Sequence, residues 1–335
     1  MSEQKALAIL APSSSYTVTS KPIPIRGTDE VLIKVQGVGL NPAERKFALY
    51  PQILDLLGYP VYTGSDGAGV VEEVGPGVNE LKKGDRVLFQ GWFSADYTTF
   101  QQYALAQAKM VAKLPETTST LEAASLPMAV AMAAFGFRLP DSAVLSRSKA
   151  AQDYDLPLLT DGRAGAGRIE FSIQIAAHYN FSPIITTSSA KHAEYLRSLG
   201  STHVVDRDTP VNKVEDLAQG KAIEYSFAAV DASTQGYVDL LAPGGTLLSA
   251  VPVSAEITFK EGRKSVLANG AGHLSKEYTY GLMGALGGFL ESSVIKPNRV
   301  EKLAGGLAGL PGGLVRLQNN QVNGVKLVAD PSETP

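Results

Sequence analysis

The stretch Leu156-Pro157-Leu158-Leu159-Thr160-Asp161-Gly162-Arg163-Ala164-Gly165-Ala166-Gly167 decides the fold. An apolar run enters a turn whose glycines tolerate positive φ and let backbone N–H groups approach an anion closely. Beyond it, Ile169, Ile173, Ala176 and Ala177 recur at helical spacing, and Asn180 and Pro183 end the segment. Pro183-Ile184-Ile185-Thr186-Thr187 then reads as a second strand. The order strand, glycine turn, helix, strand, continued to Asp206, makes a nucleotide-binding βαβ candidate. The second strand ends without an acid. Ser188, Ser189 and Lys191, after Thr187, stand where a carboxylate would accept hydrogen bonds from an NAD ribose, which favours a 2′-phosphate and hence NADPH. Glycine spacing alone is a weak signal, and here Glu170 takes the place of the third glycine, so the reading rests on the flanking elements.

Working outward, 335 residues suggest two domains of ordinary size. Hydrophobic residues at 44% and charged residues at 19% place the chain among globular proteins, and a net charge of −3 gives no basic footprint for nucleic acid or an anionic membrane. No apolar run has transmembrane length and the start MSEQKALAIL is too short for a signal peptide, so a cytoplasmic protein is expected. Zero cysteines exclude disulfides and thiolate-held metal. His178, His192, His203 and His273 are scattered without ligand spacing, and read as surface or helix-end residues.

Residues 5–10 and 30–38 are β-type runs separated by a Ser/Pro/Gly-rich segment, and TGSDGAGVVEEVGPGV (63–78) and KKGDRVLF (82–89) alternate turns with valine-rich strands. After the βαβ core, HAEYLRSLGSTHVVD (192–206) is a helix and a third strand, IEYSFAAVD (223–231) a fourth strand, and GGTLLSAVP (244–252) a fifth. Residues 261–293 are glycine-rich with scattered aromatics.

The Asn41-Pro42 pair, the GAGVVEEVG run at 67–75 and Gly84-Asp85-Arg86-Val87 resemble the GroES-like catalytic domain of the medium-chain dehydrogenase/reductase superfamily. EAASLPMAVAMAAFGF (122–137) resembles the helix leading into its cofactor domain, and LLAPGGTLLSAVP (240–252) its late Rossmann strand. LAGGLAGLPGGLVRLQNNQVNGVKLV (303–328) resembles the closing helix and strand of the fungal, zinc-independent branch, which includes quinone-reductase-like proteins and stand-alone enoyl reductases. The resemblance implies an α/β chain. A discontinuous GroES-like β-rich catalytic domain (1–122 and 263–335) would accompany a Rossmann domain with a doubly wound parallel sheet binding NADPH (123–262).

It also implies an activity: hydride transfer from NADPH to an activated C=C or a quinone, such as an enone, enal or enoyl thioester, by a monomer or homodimer. Small molecules are the expected partners. Asn41 would lie beside the nicotinamide, and Tyr50 and Tyr62 would stack on the acceptor or donate to it; a turn residue and two packed aromatics are the plain alternatives. Gly162, Gly165, Ala166 and Gly167 would meet the pyrophosphate. Thr187, Ser188, Lys191 and Tyr195 would meet the 2′-phosphate side, with Val251 at the end of the fifth strand. Two departures stand out, Ile169-Glu170 at the glycine turn and Met132 where the family often carries threonine. They motivate a second reading, a cofactor-binding protein of the same fold with lost or altered catalysis. A methyltransferase is disfavoured because the second strand lacks an acid for the ribose.

The zinc-dependent branch places a cysteine after its first long strand and a His-Glu pair after a glycine; this chain has Leu40-Asn41 and Ser65-Asp66 there. Purified protein is expected to carry no stoichiometric zinc by elemental analysis. A tightly held equivalent would overturn that expectation.

Overall fold

A computed structural model describes residues 2–48, 51–92, 94–136, 158–161, 168–229, 235–268 and 270–335. The chain divides into two units, Met1–Met128 with Ala271–Pro335, and Ala129–Gly270. The first part of the chain forms β1 (Glu3–Ile9), β2 (Tyr16–Pro22), β3 (Glu30–Gly39), α1 (Pro42–Ala48), α2 (Pro51–Leu57), β4 (Val61–Tyr62), β5 (Asp66–Val74), β6 (Arg86–Gln90), β7 (Tyr103–Gln107), β8 (Val111–Lys113), α3 (Thr120–Ala123) and α4 (Pro127–Gly136). Next come β9 (Leu158–Asp161), α5 (Arg168–His178), β10 (Ile184–Thr187), α6 (Ala193–Ser198), β11 (His203–Val205), α7 (Val211–Asp216), β12 (Ile223–Ala228), α8 (Gln235–Asp239), β13 (Leu241–Ser249) and β14 (Lys264–Leu267). The last stretch forms α9 (Lys276–Glu291), β15 (Val300–Lys302), α10 (Leu310–Gln318) and β16 (Lys326–Ala329).

In the first unit β3 is the central strand, because its valines and isoleucine are buried on both faces. It pairs antiparallel with β5, β7 and β16, and β15 extends the sheet at one edge while β6 and β8 extend it at the other. Val31, Ile33, Val35, Val38, Val71, Val87, Phe89 and Phe100 form the core between these strands. Bulges in β3 at Leu32/Ile33 and Val35/Gly37 break the register with β5, and such insertions bend and twist a strand. The Ser/Pro/Gly-rich segment is not all loop: β2 lies within it and pairs with β1 from Glu3↔Pro22 to Ile9↔Tyr16. All but one of its residues are half-exposed or exposed, so no apolar alternation announces the strand.

The second unit is a six-stranded sheet ordered β11-β10-β9-β12-β13-β14, every pair parallel. In chain order this is 3-2-1-4-5-6, the arrangement whose crevice lies where the order reverses, here between β9 and β12. Asp161 is level with Thr187 on one side and with Ala228 on the other, so three strands end together. Helix α5 buries Ile169, Ile173 and Ala176, as the helical spacing requires, and Asn180 closes its C-terminal side at φ 57. One expectation needs correcting: the strands do not stop at five, because Lys264–Leu267 adds a sixth on the sheet's edge. All four of its residues are exposed, so burial left no apolar pattern in the sequence. The remainder of 261–293 contains α9, a helix of 16 residues. Among the described residues no helix is long and apolar enough to cross a membrane.

Candidate functional site

The register of the first unit's sheet draws three chain segments to one point. Gly39 pairs with Asp66 on one side, Val328 pairs with Gly39 on the other, and Asn41 follows two residues after β3 ends. There the Lys326 ammonium donates to Asn41 Oδ1 at 2.6 Å and to Asp66 Oδ2 at 2.8 Å, while Asn41 Nδ2 donates to the same Asp66 oxygen at 2.8 Å. The other Asp66 oxygen accepts from the Met128 backbone N–H at 2.6 Å. Lys326 is 4% exposed and Asp66 not at all, so this ion pair has surrendered its hydration and depends on complete hydrogen bonding. Gly39 is required beside it: a Cβ there would lie 2.2 Å from Ala124 O and 3.1 Å from Lys326 Cε.

Glu44, in the first turn of α1, is a second buried carboxylate in this cluster, 1% exposed. Its oxygens accept from the backbone N–H of Asn41 at 2.6 Å and of Ser65 at 3.2 Å. Tyr16 donates its hydroxyl to Glu44 O at 2.9 Å. Burial, with the Asp66 carboxylate adding to it, pushes the Glu44 carboxyl up to about 7 against the opposing pull of Lys326 and the Ser65 N–H. Glu44 also walls a small cavity with Thr63, Ser65, Trp92, Thr98 and His273.

In the second unit, β10 ends in buried Thr187 and Ser188. The Ser188 hydroxyl has no hydrogen-bond partner among the described residues. Exposed Arg207, just past β11, donates to Ser189 Oγ at 2.7 Å. Lys191 is exposed beside them and Tyr195 half-buried on α6. An orphaned buried hydroxyl next in the chain to a serine that a guanidinium holds, with exposed Lys191 following, suits an anionic group, so the residues fit the phosphate of a nucleotide.

Residues 27–116 match the alcohol dehydrogenase GroES-like domain, and residues 170–267 the zinc-binding dehydrogenase family. The trans-enoyl reductase TOXD of Cochliobolus carbonum is 34% identical over 243 residues, covering 70% of this chain and 79% of that protein. The trans-enoyl reductase tazE of Aspergillus terreus is 31% identical over 254 residues, 71% of this chain and 81% of its own length. The chain belongs to the medium-chain dehydrogenase/reductase family, in its enoyl/quinone reductase branch. Its fold is also that of a putative zinc-dependent alcohol dehydrogenase from Rhizobium etli, with a TM-score of 0.82 at 21% identity over 98% of each chain. As a member of this family it is an oxidoreductase, and its Rossmann unit implies a nicotinamide cofactor.

Among the family's expected site residues, Asn41 lies in the buried network, while Tyr62 belongs to a different cluster, its ring 4.6 Å from the Lys21 ammonium. Burial, then the Asp96 carboxylate, raises the Tyr62 phenol's pKa. Tyr50 and the turn residues Gly162, Gly165, Ala166 and Gly167 fall outside the described residues. Val251 follows β13, its N–H donating to Ser249 Oγ at 3.3 Å. Met132 is buried in α4 and its sulfur accepts from the Gly270 N–H at 2.8 Å. Sequence reading missed Lys326, Asp66, Glu44 and Arg207. Glu44 had a legible signal: Asn41-x-x-Glu44 is the spacing of a capping box, and the Glu44 carboxylate does reach back to the Asn41 N–H. Lys326 had none, since 285 residues separate it from Asn41.

Two consequences are measurable. Lys326→Met strands a buried carboxylate and should cost about 3–5 kcal/mol in denaturant unfolding. Adding Asp66→Asn should recover part of the loss, read as a coupling energy in the double-mutant cycle. The raised Glu44 carboxyl binds its proton more tightly folded than unfolded. Stability from it is therefore full below about pH 4.5 and lost as pH rises to about 7. Glu44→Gln should flatten that decline, a difference on the order of 3 kcal/mol between the two ends, measured by urea unfolding of both proteins across this range.

Proposed function

We propose that this oxidoreductase is a zinc-independent, NADPH-dependent reductase that passes hydride to an activated C=C or a quinone. The second unit would hold the cofactor and the first would supply groups that handle the acceptor. The observation that carries the NADPH assignment is the end of β10, where Thr187 and Ser188 replace an acid, the buried Ser188 hydroxyl has no partner among the described residues, and Arg207 is drawn to Ser189. An acid there would bond a free ribose and repel a 2′-phosphate; hydroxyls with a guanidinium and an ammonium do the reverse. Lys191 and Tyr195 join this set, the turn at 162–167 would take the pyrophosphate by backbone N–H groups, and Val251 would border the nicotinamide half. The bound cofactor supplies the hydride. What remains for the protein is to orient the acceptor, stabilise developing negative charge on its oxygen and supply a proton. Asn41, Tyr50 and Tyr62 are the proposed acceptor-side residues, although Asn41 already spends its amide on Asp66 and Lys326.

One feature favours altered catalysis as a second reading. Glu170 lies in the first turn of α5 and is only 1% exposed, so its carboxyl shares the positive end of the helix with whatever anion binds there. Turnover separates the two readings. The protein is titrated with NADPH and with NADH, then mixed with enones, quinones and enoyl thioesters. NADPH should bind more tightly, and at least one acceptor should be reduced. Lys191→Glu and Arg207→Ala should each weaken NADPH by about 1.5–3 kcal/mol and leave NADH nearly unchanged. An unaltered preference in both would make these side chains solvated surface groups.

A further inference from the structure

Every polar group around the Lys326 ammonium is accounted for by a partner, but Glu44 is placed differently. The lysine donates to Asn41 and Asp66, whereas both Glu44 oxygens are held by main-chain N–H groups, and each oxygen retains a further lone pair. The cavity it walls has about 20 Å³ open to the centre of a water molecule, room for one. Thr63, Ser65, Thr98 and His273 share that wall, so a water there has polar partners. His273 is half-buried, its ring 5.7 Å from that of Trp92.

We propose that Glu44 is the proton reservoir of the reaction and that His273 is the group that passes the proton to the reduced substrate, across the water-sized space they share. This rests on the reductase reading. When hydride reaches the β-carbon of an enoyl acceptor, the C=C π pair becomes an enolate. The α-carbon takes the proton of one His273 ring nitrogen as the other ring nitrogen takes one from water, and that water takes one from the Glu44 carboxyl. The balance is closed when solvent reprotonates the Glu44 carboxylate after the saturated product leaves.

The charged and titratable surroundings suit these roles. Burial and then Asp66 from β5 oppose a charge on Glu44, and Lys326 from β16 only partly offsets them, leaving the carboxyl near 7. Burial pushes the Tyr16 phenol on β2 up to about 12, against the opposing pull of the Thr63 hydroxyl and Arg45, so it stays a hydroxyl that holds the Glu44 backbone rather than a competing acid. Burial, then the Lys276 ammonium, lowers the His273 pKa, and that ammonium lies 5.7 Å from the Trp92 ring centre. Both effects favour the neutral imidazole, which has one donor and one acceptor nitrogen, as a relay needs.

The test uses the full chain with NADPH and crotonyl-coenzyme A, with menadione and 3-penten-2-one as further acceptors. Wild-type kcat should fall as pH rises through about 7. Glu44→Gln should lower kcat tenfold or more with KM unchanged and lose that ionisation, Glu44→Asp should restore part of the rate, and His273→Asn should resemble Glu44→Gln. Wild-type kcat and pH profile in Glu44→Gln would overturn the proposal and leave the reductase reading standing. No turnover of any acceptor by the wild type would instead defeat the reductase reading and the proposal with it. A readout free of turnover guards against a variant that does not fold. Infrared pH-difference spectra of the wild type should show a protonated carboxyl band that vanishes near pH 7, and its absence overturns the proposal.

Discussion

Lys326 donates from the start of the last strand to Asn41 and Asp66, almost without contact with water, and the first unit's sheet closes around that contact. Burying an ammonium and a carboxylate costs several kcal/mol each, and only full pairing offsets it. The pairing is nearly full: Asp66 accepts from Lys326, Asn41 and Met128, and bare Gly39 leaves room for the lysine stem. A chain that misplaced β16 against β3 would strand those charges. The cluster therefore selects one register for a strand that joins the sheet from the far end of the sequence.

Two carboxylates near one ammonium cannot both be neutralised by it. Asp66 takes the ion pair, and Glu44 is left with backbone donors, which hold its oxygens without supplying a full positive charge. Burial first, and then the neighbouring Asp66 charge, let Glu44 keep its proton to near neutrality. The second unit shows the opposite economy of polar groups. Just past β10 the buried Ser188 hydroxyl has no partner among the described residues, while the exposed Arg207 guanidinium bonds neighbouring Ser189. Satisfied buried groups specify a fold, whereas an unsatisfied one at the end of a parallel strand is open to a partner from outside the chain.

The βαβ core was legible because each of its signals is local. Helical spacing at Ile169, Ile173 and Ala176, the stop at Asn180 and the acid-free end at Thr187-Ser188 depend on neighbours within a few residues, and burial and φ at those positions agree with them. Strands β2 and β14 were not legible, since a strand whose residues stay exposed acquires no apolar alternation. Glu44 occupies a middle ground. The Asn41-x-x-Glu44 spacing announces a helix cap, but nothing in it says that the capping carboxylate will be buried beside a second acid.

By itself, the sequence determined the class of the chain, the nucleotide-binding order of its middle, the absence of thiolate ligands and the motifs that mark its family, because composition, periodicity and short motifs act over a turn or a strand at a time. Tertiary structure alone decided that Asp66, Asn41 and Lys326 meet, that Tyr62 belongs to Lys21 instead, and that Arg207 comes to Ser189. Those meetings follow from strand register and order across the sheets, which bring together residues far apart in the chain through backbone pairing that no single segment encodes.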